Sequence, residues 1–307
     1  MNSKNIFFIG MILTASGLVS PPFALLAGIA YGFTFTHPYH LDSKNLSRLL
    51  LQASVVALGF GMNLRQVVHA GKAGFFYTAI SISLALLLGW SLGRLLQVSG
   101  KASFLIATGT AICGGSAIAA IAPITKPSDE EMAMSLGTVF MLNSVALLLF
   151  PLIGLALHMS QTQFGLWAAL AIHDTSSVVG AAAKYGTQAL QIGTTVKLAR
   201  ALWIVPLAMV TAYATKSKTR VQWPWFILLF CLAAVANTYI PVGATIFAVL
   251  SRLGRVGLTV VLFLIGTGLS KETLRRVGVR PFLQGVMLWA IIATASLLAI
   301  RAGWIGL

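Results

Sequence analysis

Ala171-Ile172-His173-Asp174-Thr175-Ser176-Ser177-Val178-Val179-Gly180 is the stretch that decides the fold. Its five consecutive polar residues, His173 to Ser177, lie in the middle of an otherwise apolar segment, Gln161–Gly186. An Asp at the centre of a membrane-spanning helix costs roughly 2.5–3.5 kcal/mol on insertion scales. A continuous lipid-facing helix is excluded here, and the segment is expected to break where protein or a water-filled cavity surrounds it. Asp174 or Thr175 is placed to cap a second half-helix running through Ala181-Ala182-Ala183. A loop between two short interfacial helices is the competing arrangement, and the apolar flanks argue against it.

Upstream, Thr108-Gly109-Thr110-Ala111-Ile112-Cys113-Gly114-Gly115-Ser116-Ala117 repeats the problem in another form. A glycine pair inside a span weakens the helix and leaves backbone groups without intrahelical partners. A half-helix starting at Ser116 would aim free N–H groups and a positive dipole end into a cavity. Close helix packing through Gly, Ser and Ala accounts for the same residues equally well.

Composition carries this outward to the whole chain. Of 307 residues, 58% are hydrophobic and 9% charged, and the mean hydropathy is +0.90. A water-soluble domain carries about a quarter charged residues, so most of this exterior faces a lipid bilayer. A soluble enzyme, a nucleic-acid binder and a disordered chain are disfavoured together. The 21 Lys and Arg against six Asp and Glu, net +15, lie mainly between apolar runs. There the positive-inside rule explains them without nucleic acid. Cys113 and Cys231 sit inside apolar segments with no CxxC spacing, so neither a metal nor a redox cofactor is implied.

A spanning helix needs roughly 20 apolar residues, which gives about 11 segments. Lys4 followed by Ile6–Val19 reads as a first transmembrane helix, with a signal peptide ending near Ala15-Ser16-Gly17 as the alternative. The rest fall at Pro21–Thr36, Leu46–Met62, Gly74–Leu96, Lys101–Pro123 and Ser128–His158. They continue at Gln161–Gly186, Ala189–Ala214, Trp223–Tyr239, Pro241–Leu269 and Phe282–Ile300. Basic loops around Lys44, Arg94, Lys216 and Lys271 put the N-terminus in the cytoplasm, with Arg65 and Lys72 on the wrong side. Trp90, Trp167, Trp223, Trp225 and Trp304 read as interfacial anchors. Asp129-Glu130-Glu131 after Ser128 reads as helix initiation, a capping box of Ser128 with Glu131.

Downstream of the polar run, Thr194, Lys197 and Arg200 recur at i, i+3, i+6 and share one broad helical face. Asp174 is their expected partner. One carboxylate against two cations leaves a net positive cavity that attracts a small anion, and Arg adds bidentate recognition of an oxyanion or carboxylate. Gly114, Gly115, Ser116, Thr175, Ser176 and Ser177 would line that site. Asn143 is a further donor, although an interhelical hydrogen bond accounts for it as well. His173 beside Asp174 is the natural place for coupling to H⁺ or Na⁺.

Internal similarity points to a repeat. Gly59-Phe60-Gly61-Met62 resembles Gly266-Thr267-Gly268-Leu269, and Cys113-Gly114-Gly115-Ser116 resembles Asp174-Thr175-Ser176-Ser177. The offsets differ, so a tandem duplication cannot produce both. Simple crossings leave the two interrupted segments parallel; re-entrant ones enter from opposite faces.

Gly-Phe-Gly-Met at Gly59–Met62, Ile112-Cys113-Gly114-Gly115-Ser116-Ala117, Ile172-His173-Asp174-Thr175-Ser176 and Val196-Lys197-Leu198-Ala199-Arg200 together resemble a family of bacterial inner-membrane proteins labelled as sulfate exporters. A weaker likeness points to relatives of the bile-acid/sodium symporters. The resemblance implies an all-α polytopic membrane protein with a panel domain and a core domain, its two interrupted helices meeting at the substrate. On that scheme 1–100 is largely panel, 101–215 core, and 216–307 panel and repeat partner. The expectation is a secondary transporter, not an enzyme, moving a small anion across the bacterial inner membrane, with a homodimer compatible. An anion channel, or an intramembrane hydrolase using Ser176 or Ser177 with His173, stands as the alternative.

Overall fold

The computed structural model describes residues 3–35, 39–216, 225–240, 243–268 and 278–306, and all their regular structure is helical. In chain order the helices are α1 (Ser3–Ala15), α2 (Pro21–Thr34), α3 (His40–Gly59), α4 (Leu64–Leu95), α5 (Gly100–Ala111), α6 (Gly115–Thr125) and α7 (Asp129–Ala156). There follow α8 (Gln161–Ala171), α9 (Thr175–Tyr185), α10 (Thr187–Ala201), α11 (Ile204–Ala214), α12 (Trp225–Tyr239), α13 (Ala244–Thr267) and α14 (Val279–Arg301). Among the described residues, five stretches are long and apolar enough to cross a membrane: Tyr77–Leu95, Glu130–Ala156, Thr187–Ala214, Ala244–Thr267 and Val279–Arg301. Large apolar side chains stand exposed along several of them, Leu87, Leu152 and Leu298 among others. A soluble surface of this size would not tolerate so many; a bilayer requires them.

Polar side chains set several helix starts. Ser128 and Glu131 close a reciprocal capping box at α7, and Ser160 with Gln163 does the same at α8. Asn63 accepts from Arg65 N at the start of α4. This helix begins about ten residues before the expected Gly74, so Arg65 and Lys72 belong to a helix rather than to a loop.

Packing sorts the helices into two groups. In the first, α13 lies against α1, α2 and α3, and α12 against α3. Small residues permit the close approach: a Cβ on Gly28 would meet the Phe263 carbonyl, and one on Gly254 the Ser54 carbonyl. The second group comprises α4 to α11 together with α14, which packs on α4, α5, α7 and α8. The boundaries expected at 100 and 216 are therefore cut differently by the packing. α4 and α14 both lie with the middle helices, because Trp289 and Gln284 of α14 bond into them. Trp289 Nε1 donates to Ala171 O at 3.1 Å, and Gln284 Nε2 to Ser103 Oγ at 2.8 Å. Trp167, expected as an interfacial anchor, is instead buried and stacked on Phe150 with ring centroids 4.2 Å apart. Trp223 lies outside the described residues.

The segments Lys101–Pro123 and Gln161–Gly186 each hold two helices, and in each the chain doubles back. Lys101 Nζ donates to Lys126 O at 2.8 Å, and Ser99 Oγ to Glu131 at 2.7 Å. The start of α5 thus lies beside the end of α6 and the start of α7. Tyr185 Oη donates to Met159 O at 2.6 Å, and the Phe164 and Tyr185 rings stack 3.8 Å apart. The end of α9 thus lies beside the start of α8. Helix α7, 28 residues and about 42 Å long at 1.5 Å per residue, separates the two mouths. The hairpins consequently enter from opposite ends of the molecule. Each arm has 11 or 12 residues, about 17 Å, roughly half of a 30 Å hydrocarbon core.

Candidate functional site

The two hairpin tips meet. Gly114 takes φ +65°, which side chains rarely tolerate, and an added Cβ would lie 3.4 Å from Asn143 Nδ2 and 3.5 Å from the Asp174 Cβ. Glycine is needed there for both the backbone turn and the close approach. Gly115 follows under the Phe140 ring. Four helix ends converge at this junction: the C-termini of α5 and α8 and the N-termini of α6 and α9.

Each end carries unpaired backbone groups and a partial charge, negative at a C-terminus and positive at an N-terminus. Three of the four are answered. At the C-terminus of α8, Lys197 Nζ donates to Ile172 O at 2.6 Å and to Ala169 O at 3.3 Å. Arg200 ties both C-termini together, Nε donating to Ala111 O at 2.5 Å and Nη1 to Leu170 O at 3.2 Å. At the N-terminus of α9, the Asp174 carboxylate accepts from Ser177 N at 3.0 Å, from Ser177 Oγ at 3.2 Å and from Ser176 Oγ. The fourth end, the N-terminus of α6, has no side-chain cap. Gly114 stands where α9 has Asp174.

This corrects the expected pairing of Asp174 with Lys197 and Arg200. No such ion pair forms among the described residues. The carboxylate is engaged by the helix it caps, and the cations by carbonyls that the helix breaks expose. Lys197 and Arg200 are 0% exposed and Asp174 8%, so the junction holds two buried cations and one carboxylate.

Several buried polar atoms here have no partner among the described residues. Asn143 Oδ1 accepts from His173 N at 3.1 Å and Asp174 N at 3.2 Å, which fixes its amide with Nδ2 unpaired. Arg200 Nη2, both His173 ring nitrogens and the hydroxyls of Thr108, Thr110 and Thr194 are also unpaired. Asn143 Nδ2 and Arg200 Nη2 are donors only. Ser176 and Ser177 point at Asp174, so the Ser–His pairing that a hydrolase needs is not formed. Thr175 is buried, while Ser116, on the first turn of α6, is exposed.

The sequence therefore named the residues of the junction but not their partners. It missed Trp289, which bonds the Ala171 carbonyl at the end of α8, and the backbone carbonyls themselves. A tryptophan inside an apolar span carries no signal that its N–H is needed at a helix end more than 100 residues away.

The family described as conserved hypothetical protein 698 matches residues 6–285. A UPF0324 membrane protein of Bacteroides thetaiotaomicron is 50% identical, covering 92% of this chain and 86% of that relative. One of Bdellovibrio bacteriovorus is 48% identical over 99% of this chain and 95% of its own. One of Geobacter sulfurreducens is 46% identical over 99% of both. No solved structure matches the chain.

Proposed function

The chain belongs to the conserved hypothetical protein 698 family of bacterial UPF0324 membrane proteins, and on that footing we propose that it is a secondary transporter of a small anion. One observation carries the reading: of four helix ends at the hairpin junction, only the positive N-terminus of α6 has no charged side chain bonded to it among the described residues. An anion there completes the set. It replaces the carboxylate that Asp174 supplies to α9, accepts from Asn143 Nδ2, and takes N–H groups of Gly115 and Ser116 with the Ser116 hydroxyl. Arg200 Nη2 adds a charge-assisted donor behind it. The substrate class is a sulfate-like oxyanion or a short carboxylate. Thr175, Ser176 and Ser177 support the site through Asp174. His173, whose buried ring nitrogens have no partner among the described residues, is the candidate for taking up a coupling proton.

The two hairpins are read as re-entrant, each reaching about half-way into the bilayer from its own face, so the site lies near the midplane. Irregular backbone at that depth is tolerated because neighbouring helices cover it. Alternating access follows from sliding the group of α4 to α11 and α14 against the group built on α13. Arg94, Lys101, Lys126, Lys216 and Arg280 flank the end where α5 begins, and by the positive-inside rule this supports reading that end, and the N-terminus, as cytoplasmic in a bacterial inner membrane. Burial of Asn143, His173, Asp174, Lys197 and Arg200 favours a carrier over an open channel.

The test is counterflow into proteoliposomes loaded with unlabelled sulfate, using [³⁵S]sulfate outside and short carboxylates as competitors. A carrier gives saturable, transient accumulation. Absence of counterflow for every anion in the panel, or unsaturating current, overturns the proposal.

A further inference from the structure

We propose that a groove between α4 and α5, at the end of the molecule where α5 begins, binds the phosphate of an anionic phospholipid through Arg94. A cavity of about 180 Å³ lies there, lined by Leu86, Trp90, Arg94, Ser103, Phe104 and Ala107 among others. It shares no residue with the hairpin junction and does not depend on the transport reading.

Arg94 stands in the last turn of α4, exposed, with its guanidinium carbon 4.9 Å from the Trp90 ring centroid. Stacking uses the flat face of the guanidinium and leaves its N–H edge free for a phosphate oxygen. Among the described residues no carboxylate pairs with it. The floor of the groove is closed by the protein itself. Ser103 Oγ accepts from Gln284 Nε2 at 2.8 Å and donates to Gly89 O at 3.2 Å. A Cβ on Gly93 would strike Ser103, and one on Gly89 would strike Ala107, so the helices are in contact beneath. The ligand's charge is thus left to Arg94 at the mouth, while Leu86, Phe104 and Ala107 supply an apolar wall.

One cation over an apolar wall fits an amphiphile. Free phosphate gains nothing from Leu86 or Phe104, whereas an acyl chain covers them and continues along the exposed Leu84 and Leu87 of α4. A tryptophan beside an arginine is also the pairing expected at headgroup depth. A zwitterionic lipid carries its own cation and makes less of an arginine that no described carboxylate pairs. The expected preference is about fivefold, the scale of one basic residue near an anionic surface.

Native mass spectrometry of the full chain, released from micelles containing equal phosphatidylglycerol and phosphatidylcholine, reads this directly. Wild type should retain phosphatidylglycerol about fivefold over phosphatidylcholine. Arg94→Gln should lose the preference, Arg94→Lys should keep most of it, and Trp90→Leu should weaken it. Arg301→Gln, at the far end of α14, should behave as wild type. Helical circular dichroism checks that each variant is folded. An unchanged preference in both Arg94→Gln and Trp90→Leu, or displacement of the lipid by millimolar inorganic phosphate, overturns the site.

Discussion

Replacing Asn143 by aspartate separates the anion site from the fold. Asn143 Oδ1 accepts two backbone N–H groups, from His173 at 3.1 Å and Asp174 at 3.2 Å, and its Nδ2 is unpaired. Asn143→Asp keeps both acceptances and makes them charge-assisted. A neutral hydrogen bond contributes about 0.5–1.5 kcal/mol and one to a charged group about 1.5–3, so two bonds gain roughly 1–3 kcal/mol. Burying a carboxylate costs several kcal/mol. Attraction to the two buried cations, less the repulsion from Asp174 beside it, offsets this; one unit pair 4 Å apart at an effective dielectric of 20 is worth about 4 kcal/mol. The terms nearly cancel, and the melting temperature should stay within about 5 °C of wild type at 2–4 °C per kcal/mol. The anion fares otherwise. It loses the Nδ2 donor and meets a like charge worth about 4 kcal/mol, close to a thousandfold in affinity. At a concentration of 100 times the wild-type Kd, sulfate adds about 2.7 kcal/mol to wild type and nothing measurable to the variant. Asn143→Leu instead orphans two buried N–H groups and should lose about 2–6 kcal/mol outright. Thermal unfolding in detergent across a sulfate titration distinguishes the three. A sulfate-dependent shift in Asn143→Asp equal to wild type refutes the argument.

Three further outcomes are expected. Gly114→Ala should lower stability by about 1–3 kcal/mol through backbone strain at φ +65°, while Gly100→Ala, whose Cβ meets nothing within 4 Å, should be neutral; thermal melts compare them. Arg200→Lys keeps the charge but cannot hold Ala111 and Leu170 together, and chemical denaturation should show a loss of about 1.5–3 kcal/mol. In a chain lacking Cys113 and Cys231, cysteines at Lys101 and Lys126 should react with a membrane-impermeant maleimide from one side of the membrane, and cysteines at Gln161 and Lys184 from the other. Labelling of Lys101→Cys and Lys126→Cys from opposite sides would show that α5 and α6 cross rather than return.

Much of the junction was legible because charge is scarce in this chain. In a sequence with 9% charged residues, Asp174, Lys197 and Arg200 inside apolar runs announce themselves, since insertion cost removes such residues wherever nothing holds them. The Ser128 capping box was legible for a different reason: it is closed within four residues. What holds the two cations was not. Lys197 and Arg200 invite pairing with the nearest carboxylate, but a broken helix also exposes carbonyls, and a carbonyl has no letter in the sequence. The same holds for Asn143, whose amide is fixed by backbone N–H groups 30 residues away.

The all-helical membrane class was readable from the sequence alone, and the sequence also raised the expectation of breaks near Cys113–Ser116 and His173–Ser177 with polar residues held there. Those are properties of composition and local pattern, and hydration free energy enforces them residue by residue. Only the tertiary structure decided that the interrupted segments double back, through contacts such as Lys101 with Lys126 and Tyr185 with Met159. Only it decided that α14 joins the middle helices and that the two tips meet at Gly114 and Asp174. A half-helix leaving a break can go on or turn back with the same local energy. The choice falls to contacts between residues far apart in the chain, and these exist only once the helices are packed.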